Sequence, residues 1–320
     1  MRGNASAHTT VPPALRQLPL TRRRSLLATS ILCACPSQRT LTAAESAVLV
    51  AAAASALAGY SFFIEPRWLR VRERELYLSN LPVALDGARV AHLSDLHLSD
   101  ECPTSVVLKA IDVTLKRKPD IVAVTGDITQ HGAESALAAR VLGRLTTLPT
   151  VAILGNHDYH SGAAAADRLV DALTSAGVTV LRDRSEVFAV RGQPVRVVGL
   201  DLAKRGRPPT LRSVVDMLDD ESTPRLLLAH SPSALGDLRQ GDALIALVGH
   251  THGGQVFVPV LTWAYIRAYY GGLGDGLRVR NGVPVHVSRG LATAKVAARF
   301  LRRPEVTFLT LRREREGARG

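Results

Sequence analysis

What the chain has little of narrows it first. Only three cysteines occur, Cys33, Cys35 and Cys102, and two of them precede residue 40. The single thiol left to the rest of the chain cannot close an internal disulfide, and no Cys pair is available there for a zinc site. Cys102 is read as an inert thiol near a loop. Aromatic residues make up only 4 % of the chain, and no basic stripe interleaved with aromatics runs through its interior. The surface of a nucleic-acid-binding domain is therefore missing. There is no internal repeat, and no motif presents a nucleophilic Ser or Cys. Residues 1–40 lack acid altogether while holding six arginines, half of the net charge of +12. A basic tail of this kind is assigned to targeting rather than to a polyanionic partner.

Residues 21–35, TRRRSLLATSILCAC, place an arginine cluster before an apolar stretch, the order found in export signals. Arg23-Arg24-Ser25-Leu26-Leu27 is similar to a twin-arginine signal, with Leu where Phe is more usual. Ser46 to Ile64 follows as 19 residues without a charge, close to the ~20 needed to cross a bilayer. Tyr60, Phe62 and Phe63 fall near its end, where an interfacial belt is expected. A long signal h-region or a soluble alanine-rich helix is the alternative. The positive-inside rule puts the arginine-rich tail in the cytoplasm and the main domain outside. The chain is thereby expected at the inner (cytoplasmic) membrane, anchored by its N-terminus. Four parts are expected: a basic signal-like tail (1–45), a candidate transmembrane helix and linker (46–75), a folded domain (76–312) and a charged tail (313–320).

Within the folded domain, ARVAHLSD (88–95), DIVAVTGD (120–127) and TVAILGNHD (150–158) read as buried strands. Segments 104–118, 133–145 and 163–177 between and after them carry apolar residues at helical spacing. Alternation of this kind predicts parallel strands with helical crossovers. After residue 179 the strands come more densely, with a short helix over 210–219, and a sheet with shorter, more antiparallel connections is expected. RLLLAHSP (225–232) and ALIALVGHTHGG (243–254) belong to it.

Five strands end in polar residues of one chemical kind: Asp95 and His97; Asp127; Asn156, His157 and Asp158; His230; His250 and His252. Ligands of open α/β sheets bind beyond the carboxyl ends of strands. Carboxylate, imidazole and amide oxygen suit Mn, Fe or Zn. So many ligands exceed one ion and suit two that share a bridging carboxylate. Glycines beside Asp127, Asn156 and His250 allow close approach.

The order Asp-x-His, Gly-Asp, Gly-Asn-His-Asp, His, Gly-His-x-His resembles the calcineurin-like metallophosphoesterases over roughly residues 85–312. SDLHLS, GNHDYHSG, GHTHGGQ and SRGL…RPEVTFLTL are most similar to a bacterial membrane-associated branch, related to UDP-2,3-diacylglucosamine pyrophosphatases. The resemblance implies a four-layer αββα sandwich of two mixed sheets flanked by helices, preceded by the signal or membrane helix. It assigns Asp95, His97 and His252 to one metal, Asn156, His230 and His250 to the second, and Asp127 as the bridge. His157 becomes the catalytic histidine near the leaving group, oriented by Asp158. Two divalent ions (Mn, Fe or Zn) outweigh the two carboxylates and attract phosphate. They lower the pKa of a shared water, and His157 donates a proton to the leaving oxygen.

The expected reaction is hydrolysis of a phosphodiester or pyrophosphate in a small-molecule or lipid-linked compound, with nucleic acid disfavoured. A nucleotide phosphodiesterase or nuclease, or a non-enzymatic metal-binding scaffold, is the alternative. Further residues are weighed more lightly. His92 is expected to be packed, and His131 and His160 to lie on solvated turns. Arg289 is left between a substrate phosphate contact and a structural salt bridge. FVPVLTWAYIRAYYGG (257–272) is left between a lipid-facing lid, a substrate wall and core packing.

Overall fold

Strand parity sets the layers. The protein was examined as a computed structural model, which describes residues 41–99, 104–201, 211–218, 220 and 222–314. The arginine-rich signal-like run, all three cysteines and residues 315–320 lie outside the described residues. The chain divides into two units, Met1–Val48 and Leu49–Gly320.

Of the first unit, residues 41–48 are described and begin α1 (Ala43–Gly59). Thr42 and Glu45 form a reciprocal cap: the Thr42 amide donates to Glu45 Oε2 at 2.9 Å, and the Glu45 amide to Thr42 Oγ1 at 3.2 Å. Alanine favours the helix that follows, and no residue of α1 is buried. A π turn (Tyr60–Ile64) and a 3₁₀ turn (Glu65–Arg67) continue it to Pro66 and its exit. Within the helical run Ala43–Arg67, an 18-residue window has a mean hydropathy of 2.0. By length and composition it is able to cross a membrane.

The second unit holds two six-stranded sheets. Its strands are β1 (Arg70–Leu78), β2 (Arg89–Leu93), β3 (Ile121–Thr125), β4 (Thr150–Ile153), β5 (Thr179–Val180), β6 (Arg184–Val190), β7 (Gln193–Gly199), β8 (Arg225–Leu228), β9 (Ile245–Val248), β10 (Gly276–Arg280), β11 (Val283–Val287) and β12 (Glu305–Arg313). The helices are α2 (Ser105–Arg117), α3 (Ser135–Leu142), α4 (Ala163–Ser175), α5 (Leu211–Val215) and α6 (Leu261–Tyr270). One sheet runs β1-β12-β2-β3-β4-β5 and the other β10-β11-β9-β8-β7-β6.

Alternate residues of one strand serve different cores. Ile121 and Ala123 of β3 face Leu226 and Leu228 of β8 and Ile245 and Leu247 of β9 between the sheets. Val122 and Val124 instead meet Val107, Ile111, Leu142 and Leu169 of α2, α3 and α4. On the far side, Leu227, Ala246 and Val248 pack against Leu211 and Val214 of α5 and against Leu235. The result is the expected αββα sandwich with a thin fourth layer. Each large side chain moved from water into these cores contributes roughly 1.5–3 kcal/mol.

As expected, the second sheet has shorter connections and more antiparallel pairing than the first, at its edge strands β6 and β10, while β7, β8, β9 and β11 are parallel. Short helical pieces, α5 and the turn Pro232–Leu235, suffice for the crossovers. The boundary at residue 76 moves. β1 begins at Arg70 and pairs in parallel with β12 from Arg70↔Glu305 to Leu78↔Arg313. Its sequence RVRERELYL hides it, because an edge strand carries charge where an interior strand carries apolar residues. Glu65, fully buried, accepts bonds from the amides of Leu301 (2.9 Å) and Arg302 (2.5 Å). The expected linker is thus part of the domain.

Candidate metal centre

Each polar cluster leaves the carboxyl end of a strand: Asp95 and His97 after β2, Asp127 after β3, Asn156 and His157 after β4, His230 after β8, and His250 and His252 after β9. Strand geometry alone would send successive side chains apart. The chain instead bends sharply at each exit. Asp95 (φ 52°), His97 (41°), Asp127 (49°), His250 (69°) and His252 (50°) all adopt the left-handed conformation. For residues with a Cβ this costs about 1 kcal/mol or more each. Strain repeated at five ligand-type residues marks a site that the surrounding fold holds in place.

Two glycines make the approach possible. A Cβ on Gly155 would overlap the Asp127 carboxylate, and one on Gly249 would overlap Ser94 Oγ and Asp95 Oδ2.

The side chains form two groups that share Asp127. In the first, His97 Nε2 and His252 Nε2 lie 3.2 Å apart, and His252 Nε2 is 3.5 Å from Asp95 Oδ1. His97 Nε2 is also 3.7 Å from Asp127 Oδ2. In the second, His230 Nε2 lies 3.3 Å from Asp127 Oδ2, 3.2 Å from Asn156 Oδ1 and 3.2 Å from His250 Nδ1. His230 Nδ1 is 2.8 Å from the carbonyl of Thr125, so the nitrogen there is assigned as the donor. That bond turns the Nε2 lone pair toward Asp127 when the ring is neutral. Asp95 is fixed by the His250 amide at 3.0 and 3.2 Å from its two oxygens.

Burial and mutual charge set the protonation of the metal-free chain. Burial pushes His97 down to about 3 and His250 down to about 4, and holds His252 well below the usual imidazole range. These three rings are neutral at physiological pH, as ligation requires. Burial also opposes a charged His230, but the Asp127 carboxylate outweighs it and lifts His230 to about 9. The same pair drives Asp127 below the carboxylate range against its own burial. Burial raises Asp95 to about 6, with His230 opposing. Clustered lone pairs with one retained proton are the donor set of a cation site, and the seven residues fit two divalent ions.

His157 closes one side. Its amide donates to Asp127 Oδ1 at 2.8 Å, and its Nδ1 is 2.9 Å from the Gln130 carbonyl. The ring stands edge-on to His97, centroids 4.6 Å apart. Asp158, which the resemblance gives as orienting this ring, has its carboxylate on the neighbouring loops. The Asp158 carboxylate takes the amides of Gly155 (2.8 Å), Thr129 (2.8 Å) and Ile128 (3.2 Å) and the Thr129 hydroxyl (2.9 Å). It ties the loops after β3 and β4 together, and reaches His157 only through the backbone. Buried among these donors, it is pushed up to about 6 by burial.

The lighter candidates separate cleanly. His160 and His131 are exposed, and His160 lies against the His157 ring at 4.1 Å. Arg289 grips Asp275 with Nε at 2.8 Å and Nη2 at 2.5 Å, so the structural salt bridge holds. His92 is buried as expected, and it joins a chain of hydrogen bonds between the sheets. His286 Nδ1 meets His92 Nδ1 at 2.8 Å, and His92 Nε2 meets Thr125 Oγ1 at 2.8 Å. Thr125 Oγ1 then donates to Ser94 Oγ at 2.7 Å, beside Asp95. Sequence reasoning missed Tyr159, whose hydroxyl donates to Asp201 (2.7 and 2.6 Å) and braces the loop after β4. Its position in GNHDY was the available signal.

The two groups form the floor of a cleft of about 600 Å³. Asp127, Asn156, His157, His250 and His252 lie on one side, and Leu261, Tyr265, Ile266 and Tyr270 on the other. Part of residues 257–272 thus lines this cleft rather than the core, since α6 buries only Ile266.

A family model described as "Calcineurin-like phosphoesterase" matches residues 88–254. The chain is 30 % identical to the metallophosphoesterase YkuE of Bacillus subtilis, over 79 % of this chain and 89 % of that protein. It is 31 % identical to the phosphodiesterase YaeI of Escherichia coli, over 79 % of this chain and 92 % of that protein. A zebrafish transmembrane protein with a metallophosphoesterase domain is 27 % identical, over 76 % of this chain and 57 % of that protein. With the matched segment running from β2 through the last pair of site histidines, the chain belongs to the calcineurin-like phosphoesterases, hydrolases of phosphoester bonds that use divalent metals.

Proposed function

We propose that the chain hydrolyses phosphodiester or pyrophosphate bonds with two divalent ions, Mn, Fe or Zn. In this reading Asp95, His97 and His252 hold one ion, Asn156, His230 and His250 the other, and Asp127 both. The observation that carries the reading is the single Asp127 Oδ2, 3.7 Å from His97 Nε2 in one group and 3.3 Å from His230 Nε2 in the other. Bound there, the ions supply Lewis acidity and an activated water.

The chain's own residues do the rest. The Asp127 carboxylate is locked by the His157 amide, so its second oxygen is aimed between the two groups. His157, with Nδ1 committed to Gln130, turns Nε2 toward the cleft. There it donates a proton to the leaving oxygen or holds it by a hydrogen bond. Asp158 is a positioning residue that fixes the loop carrying His157. Leu261, Tyr265, Ile266 and Tyr270, which line the cleft, accommodate an apolar part of the substrate, which supports a lipid-linked phosphoester over a purely polar one.

The helical run Ala43–Arg67 anchors the chain in the inner membrane, with the arginine distribution placing the domain outside. The transmembrane description of the zebrafish relative supports the anchor. A UDP-2,3-diacylglucosamine-like substrate requires the opposite side, so an outward domain calls for a different lipid phosphoester.

The full chain loaded with manganese is to be assayed against bis-p-nitrophenyl phosphate and p-nitrophenyl phosphate, with and without chelator. Faster, chelator-sensitive cleavage of the diester is expected. Equal or faster cleavage of the monoester would remove the diester reading. No cleavage of either with two ions bound would favour a scaffold.

A further inference from the structure

The apolar wall of the cleft has an outer face with no partner among the described residues. Val260 is 78 % exposed, Trp263 58 % and Tyr269 68 %. The strip before them exposes Val256 and Val258 as well. In a chain with so few aromatics, this is a large apolar surface to leave in water.

Its position matters as much as its composition. Phe257 N donates to the Phe300 carbonyl at 2.9 Å, and Phe300 N to the Gln255 carbonyl at 3.0 Å. The same 299–302 segment holds the end of the apolar helix: Arg299 N donates to the Ser61 carbonyl at 2.9 Å, and Leu301 N to Glu65 Oε2 at 2.9 Å. The exit of the candidate span and the lip of the cleft are thus the two neighbours of one strand-like segment. On the cleft side Val256 and Phe300 form a parallel bridge, a step of about 5 Å.

Charge follows the same line. Segments 60–70, 255–272 and 292–303 carry Arg67, Arg70, Arg267, Lys295, Arg302 and Arg303 at exposed or half-buried positions. Their single acid is Glu65, which is fully buried. Arg303 lies over the Trp68 ring at 3.8 Å and Arg302 over Phe257 at 3.5 Å. Apolar and aromatic side chains flanked by cations, with no exposed acid, match the headgroup region of an anionic bilayer.

We propose that α6 and the strip before it seat on the membrane surface, so that the cleft opens at the lipid headgroups and draws its phosphoester from the bilayer. The occupant of this face is an anionic phospholipid surface. The proposal rests on the anchored-phosphoesterase reading above and adds the route of substrate entry. It also accounts for how lightly α6 is held. Ile266 is its only buried residue and packs at Gly274, where a Cβ would come within 2.7 Å of Ile266 Cδ1. A helix seated on lipid needs little else from the domain.

The chain has two tryptophans, Trp68 at the helix exit and Trp263 on α6, so each isolates one region. The full-length Trp68→Phe and Trp263→Phe variants are to be reconstituted into phosphatidylcholine–phosphatidylglycerol vesicles, with and without acyl chains brominated near the headgroup. Trp263 in the first variant is expected to be blue-shifted and to lose emission to bromine as strongly as Trp68 does in the second. Quenching of Trp68 without quenching of Trp263 overturns the proposal and leaves the anchor standing. Loss of both signals overturns the anchor and the proposal together. A Trp263 that is blue-shifted but unquenched, with chemical cross-linking of two chains, assigns the face to a second copy and also overturns it. Cleavage of soluble bis-p-nitrophenyl phosphate, measured on the same samples, reports on the phosphoesterase reading separately. A Val260→Asp/Trp263→Asp variant is expected to lose vesicle binding by the α6 face while keeping that soluble activity within twofold.

Discussion

The two sides of the cleft are built on opposite principles. The polar side has its carboxylates committed: Asp127 to the His157 amide, Asp95 to the His250 amide, Asp158 to three amides and a hydroxyl. The apolar side, α6, buries only Ile266 and leaves Trp263 and Tyr269 exposed. Chemistry on a phosphorus centre needs atoms held within a few tenths of an ångström, and strain at five residues is the cost of holding them. Recognition of a variable or mobile group needs adaptable surface instead. Rigidity and looseness are thus divided between two sides of one cleft.

Substitutions should respond according to the side they touch. The largest effect is expected for Asp127→Ala. It removes the atom shared by both groups, so turnover should fall by roughly 10³-fold or more and both ions should be lost. Elemental analysis and diester turnover check this, and retention of two ions would break the bridging assignment. His157→Ala should leave metal content unchanged while slowing turnover by roughly 10²–10⁴-fold. Metal loss in that variant would turn His157 into a ligand.

Gly155→Ala tests the close packing of the rigid side. The added Cβ displaces the Asp127 carboxylate, and metal affinity should weaken by roughly 10–100-fold. Calorimetric titration with manganese measures it, and an unchanged affinity would show slack that the geometry denies.

The next effect is of pH. His230 is raised to about 9 in the metal-free chain, so it holds a proton below that pH, and a cation must displace the proton to bind. Affinity at this group should rise as pH is raised from 7 toward 9, by at most about tenfold per unit. At pH 8 about one proton should be released per chain on binding. Titration in buffers of different ionisation enthalpy counts it, and no release would show His230 already neutral. The smallest effect on activity is expected at α6. Ile266→Ala should change soluble diester turnover by less than about twofold while speeding amide exchange across residues 261–270. A large loss of turnover would show that the loose side participates in the chemistry.

Much of the site was legible because its chemistry concentrates in short runs. SDLH, GD, GNHD, AH and GHTH each place ligand-type residues where a buried strand stops. Hydrophobic runs of four to five residues marked β2, β3, β4, β8 and β9 almost to the residue. What escaped was written in other terms. β1 is a charged edge strand, with alternation inverted by its exposure. The role of Asp158 could not be inferred from its neighbour in sequence, because its partners are amides some thirty residues away. Between β8 and β9 the parallel crossover holds only the turn Pro232–Leu235, too short to be read as a helix. The chain from His286 through His92 to Ser94 joins residues 194 apart at its first step, and only packing of the two sheets reveals it.

The position of β12 has a consequence for biosynthesis. The last of the described strands, β12, lies between β1 and β2, the first two. A nascent chain emerging from the ribosome can assemble β2, β3 and β4 with their helices, but β1 has no partner among the described strands until β12 has been made. Pairing over so long a sequence separation is slow. The segment that follows the apolar helix therefore stays unpaired through synthesis and is captured last. Deleting residues 305–313 would leave β2 as an open edge and free β1 together with the helix exit, converting a C-terminal truncation into the loss of the N-terminal junction.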